Sequence, residues 1–275
     1  MQGLLTYYEG DSWLHRRNPV IKLMALFVIV LVAMLAFDLW TPLILFVLVL
    51  LAETVLGRVS ARAYAGVLAL LFVLSALGFV GANGFFYQPR EGQTLTVLWQ
   101  AGRLRLSVEG LRVGVALTLR TLAIAMCSVV LVTTTDPTDL VLSLIQQGRF
   151  PVRLGYGVLV AFRFLPLWQT ELATIRAAHR IRGVGERPSL AGRWEQLRRY
   201  AVPLLAGAIR KAERISVAMD SKAFGALPHR TYYRRVPVTW RDWLMLAGTV
   251  ALVAAVLWAL NLAGLLAGFG AVPSV

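Results

Sequence analysis

The chain has 275 residues, of which 58% are hydrophobic and 15% charged, and its mean hydropathy is +0.67. A water-soluble domain of this length needs more polar surface, so the composition predicts an integral membrane protein. The formal net charge is nevertheless +14. Basic cytoplasmic loops of a membrane protein explain this charge better than nucleic-acid binding, because the hydropathy assigns much of the chain to lipid.

Five apolar segments are candidate membrane spans. They cover residues 23–37, 43–56, 63–86, 113–132 and 244–265. The first two are short against the roughly 20 apolar residues, with a lower limit of about 17, that cross a bilayer core. A polar connection at 87–112 separates the third span from the fourth, and its residues 94–98 show the alternation typical of a strand.

Residues 133–238, between the fourth and fifth spans, are less apolar and rich in arginine. They hold 17 of the 28 Lys and Arg residues and 7 of the 14 acidic residues, which is a net charge of +10. Positive charge marks the cytoplasmic side of a membrane protein. With this region inside, five spans place the N-terminus in the cytoplasm and the C-terminus, with the uncharged tail 268–275, outside.

The same region divides into three helical stretches. A short one starts at Asp136 and Pro137, an N-cap followed by proline at the first helical position, and ends before Pro151. Long helices follow at about 152–182 and 189–224, each with an internal proline that should kink it. We therefore predict an all-α integral membrane protein with about five transmembrane helices and a cytoplasmic region of one short and two long helices. The predicted divisions are 1–134, with four spans, 135–238, and 239–275.

No residues suggest catalysis or a cofactor. Cys127 is the only cysteine, the three histidines are scattered, and the sequence has no G-x-x-x-x-G-K-[ST] phosphate loop. No nucleophile–base pair and no metal-ligand set stands out. The sequence predicts a protein that is not an enzyme, with no cofactor and no metal site of its own.

Two charged residues fall inside predicted spans, Glu53 in the second and Arg120 in the fourth. Charges within a membrane are costly and are usually paired or functional. An ion pair between the two would neutralise both. The alternative is that each has a separate structural role inside the helix bundle.

Both long helices end in the same way, the second in Ile181-Arg182-Gly183 and the third in Ser221-Lys222-Ala223. One interpretation is ordinary capping, since a cation complements the helix dipole and glycine commonly follows the last turn. The other is docking, in which a basic side chain at a protruding helix tip meets a carboxylate or carbonyl in a partner's groove. Because both long helices carry this basic ending, we favour docking onto a partner with two equivalent grooves.

Three stretches of the chain carry a family resemblance. Residues 12–23 resemble the His-x-Leu-Asp-Pro-Arg-x-Lys-Leu pattern before the first span of the transmembrane T component of energy-coupling factor transporters, whose members include cobalt- and biotin-transport T subunits. Residues 163–183 are similar to the stretch that ends in the family's first Ala-Arg-Gly-type coupling motif, and 218–224 resemble the second. The chain departs from these patterns at Arg17, Asn18 and Val20, and it has Lys222 and Ala223 where Arg and Gly are usual.

The resemblance implies a division of labour. Two ABC-type ATPase subunits, which bind ATP and Mg, would hold the coupling residues Ile181, Arg182, Gly183, Ser221, Lys222 and Ala223. A membrane-embedded substrate-binding component would contact the spans in the lipid bilayer, and the complex would import a vitamin or transition-metal ion across a bacterial or archaeal cell membrane. The alternatives are a stand-alone secondary transporter and a membrane enzyme or scaffold with a cytoplasmic helical arm.

Overall fold

The computed structural model describes residues 10–36, 38–87, 96–101, 104–183, 189–226 and 231–265. Two compact units are present. The first comprises Met1–Leu140 with Val236–Val275, and the second comprises Val141–Arg235.

The first unit is a bundle of apolar helices. Its helices are α1 (Pro19–Leu35), α2 (Trp40–Leu51), α3 (Ala61–Ser75), α4 (Gly81–Phe86), α5 (Val108–Thr134) and α9 (Trp240–Leu262). A π-helical segment, Ala52–Gly57, prolongs α2, and another, Ala76–Val80, joins α3 to α4. The α2 and α3 stretches are each therefore long enough to match one predicted span.

Local sequence explains where these helices start. The side chain of Asn18 accepts a hydrogen bond from the Val20 amide (3.0 Å), and Pro19 follows at a position where its missing N–H costs nothing. Ser107 caps α5 in the same way, through the Gly110 amide. At α9, Thr239 and Asp242 form a reciprocal capping box.

The polar connection before α5 contains a β-hairpin. Strands β1 (Val97–Ala101) and β2 (Leu104–Ser107) pair antiparallel, with an irregular register between Val97 and Trp99. The alternation predicted at 94–98 overlaps β1 at 97–98, while residues 94 and 95 lie outside the described part of the chain.

The core of the first unit lies between α1, α2, α3 and α5. Its main cluster comprises Leu14, Val49, Val59, Tyr64, Met126, Cys127, Val129 and Val130. A smaller cluster of Ala33, Leu45 and Val253 joins α1, α2 and α9. Gly114 of α5 faces the backbone of Phe79 and Val80, where a Cβ would lie 2.6 Å from the Val80 Cα.

The second unit is a helical arm. Helix α6 (Pro137–Gln147) starts in the first unit and ends in the second, and α7 (Val152–Ile181) and α8 (Leu190–Ser221) follow. Both long helices continue through their internal prolines, Pro166 and Pro203. They pack antiparallel, because Glu171 of α7 pairs with Lys211 while His179, further along α7, meets Tyr200, earlier on α8.

Within the described part of the chain, five helices are long and apolar enough to cross a membrane, which confirms an all-α multi-pass membrane protein. They are Trp40–Gly57, Tyr64–Phe86, Val108–Thr134, Val152–Ile181 and Trp240–Leu262. This set differs from the predicted one. Helix α1, with 17 residues, is shorter than the others, and α7 is included although its arginines led to its prediction as cytoplasmic. Its first half carries exposed apolar side chains such as Leu154, Phe162 and Leu165, so by length and composition alone it qualifies as a candidate span.

Candidate functional site

The two long helices of the arm share one type of C-terminal cap. Arg182 is the last residue with near-helical backbone on α7, and Gly183 then adopts a left-handed φ of +74°. Lys222 has the same position on α8, and Ala223 follows with a φ of +54°. The two sequences that look alike are therefore also alike in backbone geometry.

Main-chain hydrogen bonds close both caps. On α8, the Ala223 amide donates to the Asp220 carbonyl (2.9 Å) and the Phe224 amide to the Met219 carbonyl (3.0 Å), which is a complete Schellman motif. On α7, the Gly183 amide donates to the Arg180 carbonyl (3.0 Å), the corresponding bond. Because amides satisfy these carbonyls, the basic side chains are not needed to close the caps.

The residues at both tips are exposed. Ile181 is 87% exposed, a high value for an isoleucine, and the other five predicted docking residues are exposed as well: Arg182, Gly183, Ser221, Lys222 and Ala223. Each tip therefore presents a basic side chain to the solvent, Arg182 on α7 and Lys222 on α8.

The antiparallel packing places the tips at opposite ends of the helix pair. Phe224, just after the α8 tip, makes an edge-to-face contact with Tyr156 near the start of α7, with ring centroids 5.3 Å apart. Tyr156 precedes Arg182 by about seven turns of α7, and at 1.5 Å per residue this separates the two tips by roughly 40 Å.

Contacts between the helices fix this separation. The Lys211 ammonium pairs with the Glu171 carboxylate at the crossing. Gly207 makes room for that carboxylate, since a Cβ there would lie 2.9 Å from Glu171 Oε1. Towards the α7 tip, the guanidinium of Arg176 lies over the Tyr200 ring at 5.8 Å.

The two intramembrane charges have different partners. Glu53, in the π-helical segment after α2, is fully buried and accepts a hydrogen bond from Thr133 Oγ1 (2.6 Å). The Arg120 guanidinium donates a hydrogen bond to the carbonyl of Ala36, just after the C-terminal end of α1, and is attracted by the carboxylate of Asp38. Thr133 and Arg120 are roughly 20 Å apart along α5. Of the two hypotheses for these charges, the geometry supports separate structural roles over an ion pair.

The sequence interpretation did not identify a buried polar cluster around the start of α1. Lys22, Asn18 and Arg17 are at most 7% exposed, and they contact the end of α5 and the start of α9. Two signals were present in the sequence. Asn18-Pro19 is a helix-start signature, and Asp242 stands three residues after Thr239, as in a capping box.

The described residues contain no group of three or more His, Cys, Asp or Glu side chains that could hold a metal ion. A cavity of about 380 Å³ lies among α1, α2, α5 and α9 in the first unit. Its lining is apolar apart from Thr249 and the one charged residue, Lys22.

Comparison with known proteins identifies the family. The model of the CbiQ family, described as cobalt transport protein, matches residues 10–233. The energy-coupling factor transporter transmembrane protein EcfT of Limosilactobacillus fermentum is 30% identical over 92% of this chain and 94% of its own length. The protein of the same name from Lactococcus lactis subsp. cremoris is 27% identical over 94% and 98% of the two chains.

A third relative is much longer than its match to this chain. A putative ABC transporter ATP-binding protein of Bifidobacterium longum is 26% identical over 90% of this chain, and the match covers 32% of its length. The family match spans the loop before α1, the helix bundle up to α5 and both tips of the arm. The chain belongs to the CbiQ family and is an energy-coupling factor transporter T component, a multi-pass transmembrane subunit.

Proposed function

We propose that this chain couples ATP hydrolysis by two ABC-type ATPase subunits to substrate movement in a membrane-embedded substrate-binding component. The single observation that carries the proposal is the pair of matching tips. Each is exposed and basic, each ends in the same cap, and they stand roughly 40 Å apart on one pair of packed helices. Such an arrangement suits two similar partners, one at each tip.

The relatives support ATPases as those partners. One relative is named as an ABC transporter ATP-binding protein, and its match to this chain covers about a third of its length. A segment similar to this chain therefore occurs within a longer protein of that name. The chain itself has no phosphate loop, so ATP and Mg would be bound by the partners.

The remaining roles follow from that division of labour. The chain is a non-catalytic subunit, and the imported substrate is a vitamin or a transition-metal ion bound by another membrane component. The net charge of +10 on residues 133–238 supports a cytoplasmic arm, with the N-terminus inside and the C-terminus outside a bacterial or archaeal cell membrane.

Charge reversal at the tips tests the proposal. The chain is co-purified with the ATPase subunits encoded in the same genome, and Arg182→Glu, Lys222→Glu and the double variant are compared with wild type. We expect association and ATP-dependent uptake of radiolabelled cobalt(II) or biotin to fall in each single variant, with the larger loss at Arg182, and to disappear in the double variant. A carboxylate at the tip repels the acidic groups that a basic tip would meet.

Arg210→Glu is the matched control, because Arg210 is exposed on α8 and lies roughly 18 Å along the helix from Lys222. It makes the same charge change and should leave association intact. Unchanged association and uptake in the double variant contradict the coupling role. Uptake that continues without any ATPase indicates a stand-alone secondary transporter instead.

A further inference from the structure

One short stretch before and within α1 holds both chain segments that connect the two units. The chain leaves the first unit after Leu140, soon after the end of α5, and returns to it at Val236, just before α9. Arg17, Asn18 and Lys22, which we call the clasp, bind the chain next to each of these points. All the contacts of the clasp described below lie within the first unit.

Lys22 holds the outgoing segment. Its Nζ donates three hydrogen bonds, to the Thr134 carbonyl (3.0 Å), Thr134 Oγ1 (3.1 Å) and Thr135 Oγ1 (3.1 Å). An ammonium group has three protons, so all of them are used. Lys22 is 2% exposed, and the cation also complements the negative end of the α5 dipole. Helix α6 begins directly afterwards, at Pro137.

Asn18 and Arg17 hold the returning segment. The Asn18 Nδ2 donates to the Val236 and Pro237 carbonyls (3.4 Å each), and its main-chain amide donates to Asp242 Oδ1 (3.2 Å). Arg17 Nη1 lies 3.6 Å from the same carboxylate oxygen. The first residues after the second unit and the first turn of α9 are thus bonded to the start of α1.

Buried counter-charges make the clasp hard to open. The Lys22 ammonium is attracted by the carboxylates of Glu53 and Asp242. Glu53 is in turn bonded to Thr133 on the last turn of α5. A buried charge separated from its partners has a large desolvation cost, which opposes separation of these segments.

We propose that the clasp transmits movement of the arm, residues 141–235, into α1 and α9 of the membrane bundle. Without it, the outgoing and returning segments would bend independently, and displacement of the arm would be absorbed in the connections. With the clasp in place, both segments are tied to the start of α1 and are displaced together with it. The inference rests on the proposed function for the source of the movement, the ATPases at the tips.

Two variants open the clasp on one side each. Lys22→Met keeps the length and apolar character of the side chain but removes the three donors to Thr134 and Thr135. Asn18→Ser keeps an oxygen able to cap α1 but cannot reach the Val236 and Pro237 carbonyls. Arg16→Ala is the control, because Arg16 lies on the same stretch but is exposed and pairs with Asp11.

The first measurement is hydrogen–deuterium exchange of the purified full-length chain. Lys22→Met should raise exchange in peptides that cover residues 131–140, and Asn18→Ser in peptides that cover 231–242, while Arg16→Ala changes neither. Exchange that stays at the wild-type level in both clasp variants overturns the clasp itself, whether or not ATPases bind this chain.

The second measurement uses the complex with its ATPase subunits, with and without ATP and vanadate. In the wild type, the trapped nucleotide should change exchange in the arm and in the first turns of α1 and α9. In both clasp variants the change in the arm should remain and the change in α1 and α9 should be lost. A response in α1 and α9 that equals the wild type overturns the proposal. A wild-type chain that binds no ATPase refutes the proposed function instead, and leaves the first measurement to decide on the clasp.

Discussion

Gly183 and Ala223 occupy the same position in the same cap, at the ends of α7 and α8, with φ values of +74° and +54°. Glycine adopts this left-handed conformation at no steric cost, whereas alanine pays about 1–2 kcal/mol. The α8 tip therefore keeps the geometry of the α7 tip in spite of an unfavourable residue. The hydrogen bonds of the Ala223 and Phe224 amides, and the contact of Phe224 with Tyr156, stabilise it there.

Ala223→Gly should stabilise the end of α8 by about 0.5–1 kcal/mol, because the strain of the left-handed alanine exceeds the entropy cost of glycine. Gly183→Ala should destabilise the end of α7 by about 1 kcal/mol for the opposite reason. Amide exchange in the last turn of each helix measures both effects, since opening of the cap exposes these amides.

Gly157→Ala is the matched control for the alanine substitution. Gly157 lies inside α7 with no atom within 4 Å of its Cβ position, and its φ is not left-handed. There alanine should stabilise the helix by up to about 1 kcal/mol. If Gly183→Ala and Gly157→Ala shifted amide exchange in the same direction, the left-handed backbone at residue 183 could not be the cause of the Gly183→Ala effect.

Lys222→Arg should strengthen docking at the α8 tip. Lysine offers a single point charge, whereas the planar guanidinium of arginine forms two parallel hydrogen bonds with a carboxylate. We expect about a tenfold gain in affinity for the ATPase subunits, or about 1.4 kcal/mol. Titration of the subunits onto the immobilised chain measures it.

The reciprocal variant, Arg182→Lys, should weaken association by a similar factor. Lys211→Arg serves as the control, because Lys211 pairs with Glu171 at the crossing of the two helices and not at a tip. An affinity that rises equally in Lys211→Arg and Lys222→Arg would show that the effect is not specific to the tip.

Much of this fold was predictable from hydropathy and helix-capping signals. Asp136-Pro137 marked the start of α6, and the matching Arg182 and Lys222 marked the ends of α7 and α8, because these signals are local in the sequence. Hydropathy was less decisive for α1 and α7. Helix α1 is apolar but short for a membrane span. Helix α7 is long enough and has an apolar first half, but its arginines indicate a cytoplasmic helix.

Long-range pairing was beyond the sequence. Lys22 meets Thr134 across more than a hundred residues, and Asn18 meets Val236 across more than two hundred. No periodicity or spacing specifies such pairs. Arg17, which departs from the family pattern, gains a physical role only once Asp242 is known to lie beside it. The left-handed φ of Ala223 was not predictable either, because glycine and not alanine is the residue that indicates such a conformation.

Phe224→Ala should loosen the α8 tip. It removes the edge-to-face contact with Tyr156, worth about 0.5–1.5 kcal/mol beyond the apolar area that the ring buries. We expect faster exchange at residues 219–226 and weaker ATPase binding than in the wild type, with little change at the α7 tip. Tyr156→Phe keeps the ring that Phe224 contacts, so the edge-to-face contact should remain. Equal loosening of both tips in Phe224→Ala would indicate a general loss of arm structure.

Gly114→Ala should destabilise the membrane bundle by about 1–3 kcal/mol, the usual cost of overpacking. The new Cβ would lie 2.6 Å from the Val80 Cα and 2.8 Å from the Phe79 carbonyl oxygen, and backbone atoms cannot rotate away as a side chain does. To relieve this overlap, helix α5 would have to move away from the π-helical segment that follows α3. Thermal unfolding of the purified protein in detergent measures the effect. Gly66→Ala is the control, because Gly66 lies at an exposed site on α3 with no atom within 4 Å of its Cβ position. It should be neutral or slightly stabilising. An equal loss of stability in both variants would refute the close approach of α5 to the π-helical segment.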